Sequence, residues 1–139
     1  MSPIDVVIDD YSKAAELALG ELRQALRTQD LRGWRSEGVP RTDSVGGVDY
    51  EFHGSGVYIK VQSSGLEIEI EFGPGGQEGV FDSWRIWEWV KRNPARYSGF
   101  PDHESIKDEL FGMFERGQLA RVGESELFLS ASRSADQRR

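Results

Sequence analysis

Cysteine is missing from all 139 positions, which excludes a disulfide framework and any thiolate metal site. Histidine is nearly missing too. The two that exist, His53 and His103, have no metal-ligand spacing with the scattered acids, so no metal and no other cofactor is expected. No apolar run approaches the roughly 20 residues a membrane helix needs. The chain begins with acids rather than with the basic flank and apolar core of a secretory leader. A cytoplasmic protein that does not enter membranes is therefore expected. Positive charge is also short: the net charge is −7 and the pI about 4.9. That balance opposes non-specific binding to nucleic acid and favours encounter with a basic partner.

The deficit of base is concentrated. Between Gly47 and Asp82 stand seven acids, Asp49, Glu51, Glu67, Glu69, Glu71, Glu78 and Asp82, against the single base Lys60. The same stretch carries the clearest strand pattern in the chain. Val48, Tyr50 and Phe52 alternate with Asp49, Glu51 and His53; Val57, Ile59 and Val61 alternate with Tyr58, Lys60 and Gln62; Leu66, Ile68, Ile70 and Phe72 alternate with Glu67, Glu69 and Glu71. Period two over three runs, separated by short Gly/Ser turns, predicts a three-stranded antiparallel meander with one apolar and one acidic face.

Around the meander the periodicity is helical. Ile8, Tyr11, Ala15, Ala18, Leu22, Ala25 and Leu26 predict a helix from Asp5 to about Gln29. Leu31 and Trp34 are expected to pin the chain as it leaves, and Ser36–Gly47 has the composition of a loop. After the Gly73–Gly76 turn a second helix is expected from Val80 to Arg92. It would carry Val80, Trp84, Trp87 and Val90 on one side and place Trp89 near Asp82 and Arg85 on the other. Asp102 should cap a third helix over His103–Arg116 that stops at Gly117. Leu119–Val122 and Glu126–Leu129 should close the fold as a small hairpin. The expected fold class is α+β: a single domain over residues 1–130, followed by a disordered polar tail over 131–139.

No specific catalytic motif is present, so candidate sites follow from surface chemistry. Asp49, Glu51, Glu67, Glu69 and Glu71 should share one face, where their mutual repulsion would be relieved by a basic partner. Tyr58 on that face, or Trp89 with Asp82 and Arg85 on the second helix, would supply an aromatic anchor. His53, beside Gly54-Ser55-Gly56, is a candidate general base in a pocket between sheet and helix, with Glu51 or Asp82 to orient it. The Gly73–Gly79 turn lacks the lysine of a phosphate loop and holds Glu78 and Asp82 where phosphate would sit. A helix–helix–hairpin order after Val80 is faintly that of a DNA reader. However, six acids against three bases over His103–Ser130 argue against contact with phosphates.

The string Tyr50-x-Phe52-His53-Gly54-x-Gly56, with Ile70-x-Phe72-Gly73 and Gly79-x-Phe81-Asp82-x-Trp84-Arg85-Ile86, resembles a small family of bacterial proteins without an assigned reaction, found in genomes rich in polymorphic toxin systems. Where that family's strand reads Asp-Phe-Asp-Phe-Gly, this chain has Glu69-Ile70-Glu71-Phe72-Gly73, and the acidity is kept. The resemblance implies an immunity protein that occludes a cognate toxin with a basic cleft, and it supplies no catalytic residues. The alternatives are a small enzyme built on His53 and a structural domain. The latter would be a monomer, or a homodimer paired through a sheet edge or an exposed Trp89.

Overall fold

A computed structural model describes residues 2–31, 38–74, 77–123 and 126–130. Trp34, parts of the expected loops at 36–37, 75–76 and 124–125, and the tail over 131–139 lie outside the described residues. The architecture is α+β, in the order α1 (Pro3–Leu26), β1 (Thr42–Val45), β2 (Val48–His53), β3 (Gly56–Val61), β4 (Leu66–Phe72), β5 (Glu78–Val80), α2 (Ser83–Arg92), α3 (His103–Glu115), β6 (Leu119–Val122) and β7 (Leu127–Ser130). Strands β1 to β5 form one sheet in sequence order, and β6 and β7 form a separate hairpin. The described chain groups into two compact units. One comprises the residues up to Tyr11 together with those from Val80 onward, and the other is Ser12–Gly79.

The expected meander is β2-β3-β4, and two further strands extend it. Thr42–Val45 has the polar composition of a loop, yet it is a strand. The reason is that Gly46 and Gly47 both take positive φ, 58° and 79°, the conformation of a tight two-residue hairpin turn. That turn folds Thr42–Val45 back on β2, pairing Val45 with Val48 and Thr42 with Glu51. The second difference is at Val80. It ends β5 instead of opening a helix, and α2 starts three residues later behind Asp82, whose carboxylate accepts from the Arg85 N–H at 2.8 Å.

In the Ser12–Gly79 unit, Val48, Tyr50, Phe52, Val57, Ile59, Val61, Ile68 and Ile70 are buried, as are Ala15, Ala18, Leu19 and Leu22 of α1. These are one face of the sheet and one stripe of the helix, each predicted by its own period. Near its C-terminal end α1 is tied to the sheet twice. Ala25 lies under the Gly46 turn, and Arg23 pairs with Glu78 of β5.

The other unit is built on aromatic rings. Tyr11 meets Phe81 and Trp89 edge to face, at centroid distances of 5.6 and 6.1 Å, and Phe128 meets Phe111 and Phe114 in the same manner. Such edge contacts add about 0.5–1.5 kcal/mol each beyond the area they bury. A polar chain runs out from this cluster. The Trp89 indole N–H donates to the Tyr97 hydroxyl at 2.8 Å, and that hydroxyl donates to Asp10 at 2.8 Å. Arg96 closes on the same carboxylate at 2.5 Å.

Candidate functional site

Register decides what the outer face of the sheet presents. Asp49 stands opposite Lys60, and Lys60 opposite Glu67; Glu51 stands opposite Tyr58, and Tyr58 opposite Glu69; His53 stands opposite Gly56, and Gly56 opposite Glu71. The five acids named from the sequence therefore do share a face, but in two banks on β2 and β4, with β3 between them. No two of them are register partners. Two strand spacings, roughly 9.5 Å, separate the banks, about one Debye length at physiological salt. The mutual repulsion expected from the sequence is thus weak across the face and is felt mainly along β2 and β4, where successive acids lie about 6.6 Å apart. Lys60, a lone base in the sequence, stands between Asp49 and Glu67 at one end of the face as an internal counter-charge.

Side-chain bonds give the acids fixed positions. The Tyr58 hydroxyl crosses diagonally to donate to Glu67 at 2.6 Å, and the Ser55 hydroxyl donates to Glu71 at 2.8 Å. The Gln62 amide donates to Asp49 at 2.8 Å. Hydrogen bonds from Ser44 and Gln62 hold the Asp49 carboxyl below the usual carboxylate range, so this position stays ionised in mild acid. Carboxylates locked by neighbours on a rigid sheet lose little side-chain entropy when a cation meets them. The face is accordingly preorganised for positive charge.

The remaining predicted residues do other work, in the other unit. Asp82 is the cap of α2. Arg85 is half-buried, and desolvation pulls its guanidinium down from its ordinary value. Trp89, offered as an aromatic anchor or an exposed pairing ring, is instead covered: it is 9% exposed and hydrogen-bonded to Tyr97. The buried residues of α2 are Ser83, Ile86, Trp89 and Val90; of the side expected to face inward Val90 is buried, whereas Trp84 is 59% exposed. Two causes shift the phase: β5 removes Val80 from the helix, and Trp84 lies flat on the His103 ring, 3.6 Å away at 8°.

His53 closes β2 on the outer face. Its row holds Gly56 and then Glu71, whose carboxylate is engaged by Ser55, and Asp82, expected to orient it, is engaged as a cap. A serine–imidazole contact lies elsewhere and was missed from the sequence: Ser83 Oγ is 2.6 Å from His103 Nε2. The pair begins two helices twenty residues apart, so local spacing gives no signal of it. Ser83 is 7% exposed, and Glu104 stands 3.8 Å from the other ring nitrogen with its side chain largely in solvent. That is beyond hydrogen-bond reach, and the Ser83–His103 contact ties two helix starts together. Among the described residues no group of His, Asp or Glu is arranged to hold a metal, and no helix is long and apolar enough to cross a membrane.

Comparison with curated proteins and with solved structures gave no match. Comparison with family models did: residues 4–130 match a domain of unknown function, DUF6896. Because that match spans nearly the whole chain, the protein belongs to the DUF6896 family.

Proposed function

We propose that this protein is a binding protein whose outer sheet face engages a basic protein partner, and that the partner is a cognate bacterial toxin domain which it neutralises by occlusion. One observation carries the reading: Asp49, Glu51, Glu67, Glu69 and Glu71 occupy a single face in two banks, with hydrogen bonds fixing three of them. A fixed negative surface raises the encounter rate with a cation-lined cleft and occupies the positions that a nucleic-acid substrate's phosphates would take. Tyr58, at the middle of the face and bonded to Glu67, is the aromatic anchor.

The test uses the protein encoded beside this one in its native genome, purified and immobilised. Replacing Glu69→Lys and Glu71→Lys together should lower the association rate by about tenfold or more at low salt and flatten its salt dependence. An unchanged rate at every salt concentration would remove this face from the interaction.

A further inference from the structure

The two edges of the sheet differ. At one, β5 is three residues long and its Glu78 is held by Arg23, and the chain just beyond it pairs through Phe81 with Phe128. At the other, Thr42, Asp43 and Ser44 of β1 are exposed. The ladder shows which backbone groups of β1 are already used. The Phe52 N–H donates to the Arg41 carbonyl at 2.8 Å. An antiparallel ladder alternates every second residue, so Arg41, Asp43 and Val45 turn their backbone groups toward β2, and Thr42 and Ser44 turn theirs away from the sheet. The Asp43 carboxylate accepts from the outward Ser44 N–H at 2.7 Å. This is a charged guard over an otherwise competent edge.

The surroundings of that edge fit an incoming strand on both sides. On the inner side, an open groove of about 590 Å³ is lined by Glu21, Gln24, Ala25 and Arg27 of the α1 end and by Val45 and Gly46. It is continuous with the inward-facing position of Val45. Beside the same edge, Tyr50, the register partner of Asp43, is 2% exposed, and its hydroxyl has no hydrogen-bond partner among the described residues. The interior there is left polar and incompletely paired. On the outer side, Thr42 and Ser44 are small, and immediately beyond them stand Glu51 and Asp49. A lysine or arginine on a strand seated against β1 would lie two strand spacings, about 9.5 Å, from those acids, a gap that a long cationic side chain and a carboxylate close together.

We propose that β1 is a strand-addition site: it pairs with an extended, lysine- or arginine-bearing segment of the partner, whose alternate side chains reach Asp49 and Glu51 outside and the groove at Val45 inside. This rests on the reading that the acidic face meets a basic protein, and it adds the backbone interaction that would make the encounter specific. A backbone carbonyl of the incoming strand takes the Ser44 N–H in place of the Asp43 carboxylate. A second copy of this chain is the wrong occupant, because each copy brings a net charge of −7 and its own Asp43 to the edge.

The probe is a synthetic peptide of alternating arginine and valine, beside the same peptide N-methylated at every second residue so that it cannot pair as a strand. Binding is read by fluorescence anisotropy against the wild-type chain, Ser44→Ala and Ser44→Pro. Amide chemical shifts of the wild-type chain locate the site. Proline at position 44 removes the outward N–H together with the hydroxyl that bonds Gln62 and Asp49 and is tolerated at a sheet edge, and Ser44→Ala isolates the loss of the hydroxyl.

Ser44→Ala, which keeps the N–H but loses the hydroxyl beside Asp49, is the reference for Ser44→Pro, and the wild-type shifts should centre on Thr42 and Ser44. Ser44→Pro, and separately the methylated peptide, should bind at least about tenfold more weakly. The methylated peptide judges the proposal even if Ser44→Pro does not fold. Equal binding of the two peptides to the wild-type chain overturns strand addition. If that equal binding is then lost in Glu67→Lys with Glu69→Lys, the acidic-face reading survives alone. Absence of binding at millimolar peptide also overturns the proposal. Self-association in light scattering that Ser44→Pro abolishes would assign the edge to a second copy and would overturn it equally.

Discussion

Acids and aromatic rings occur in both compact units, and the units use them in opposite ways. In Ser12–Gly79 the carboxylates line an outer sheet face while the large apolar side chains of β2, β3 and β4 are buried. In the unit that carries the C-terminal half, three acids are consumed locally. Asp82 and Asp102 cap helices, and Asp10 ends a chain of bonds from Trp89 through Tyr97. The same side chain faces outward on a sheet in one place and is spent on structure in the other. What separates the cases is the donor within reach: backbone N–H groups at a helix start satisfy an acid completely, whereas strand neighbours position an acid and leave its charge facing out.

The contrast can be broken from the structural side first. Trp89→Ala removes a ring packed on Tyr11 and bonded to Tyr97, and should cost about 3–5 kcal/mol in urea unfolding. A cost near zero would mean that Trp89 is a surface group after all. A smaller loss, about 1–3 kcal/mol, is expected for Tyr97→Phe, which strands the Trp89 N–H and takes one donor from Asp10.

That variant carries a pH signature. Burial, and then the bond to Asp10, push the Tyr97 phenol above its ordinary value, and burial does the same for Tyr50. The stabilisation is therefore complete below the unfolded phenol value of about 10 and is lost as pH climbs through the raised folded value. Wild-type stability should fall in that alkaline window, and Tyr97→Phe should fall less steeply, with Tyr50 supplying what slope remains. The smallest effect belongs to the face: Glu69→Lys alone should move the unfolding free energy by no more than about 0.5 kcal/mol. A loss much larger than that would show the glutamate to be structural, and the two units would then no longer differ in kind.

Much of the fold was legible in the residues because it is set by local periodicity. The alternation in Val48–His53, Gly56–Val61 and Leu66–Phe72 places the same side chains inward in the folded chain, and Asp102 and Gly117 bound α3 as their cap chemistry requires. Misplacement came where a segment's state depends on what pairs with it. Thr42–Val45 has no apolar alternation of its own and becomes a strand only because the Gly46-Gly47 turn brings it to β2. Val80 is helical by spacing and extended by position in the sheet. For the candidate site, the sequence placed the acids on one face but not their register, and so missed Lys60 between Asp49 and Glu67 and the separation of the banks. Asp82, Arg85 and Trp89 were grouped with the face by charge and ring type alone.

By itself, then, the sequence determined which strand positions are buried, that one sheet face is acidic, and that thiolate chemistry is excluded. These follow from residue type and from periods of two and 3.6, which a chain carries with it before it folds. Only the tertiary structure decided which acids are spent as caps, that Trp84 rather than Trp89 faces solvent, and that β1 is the edge strand of the sheet among the described residues. Those outcomes depend on hydrogen bonds and packing between segments far apart in the chain, and no local pattern encodes them.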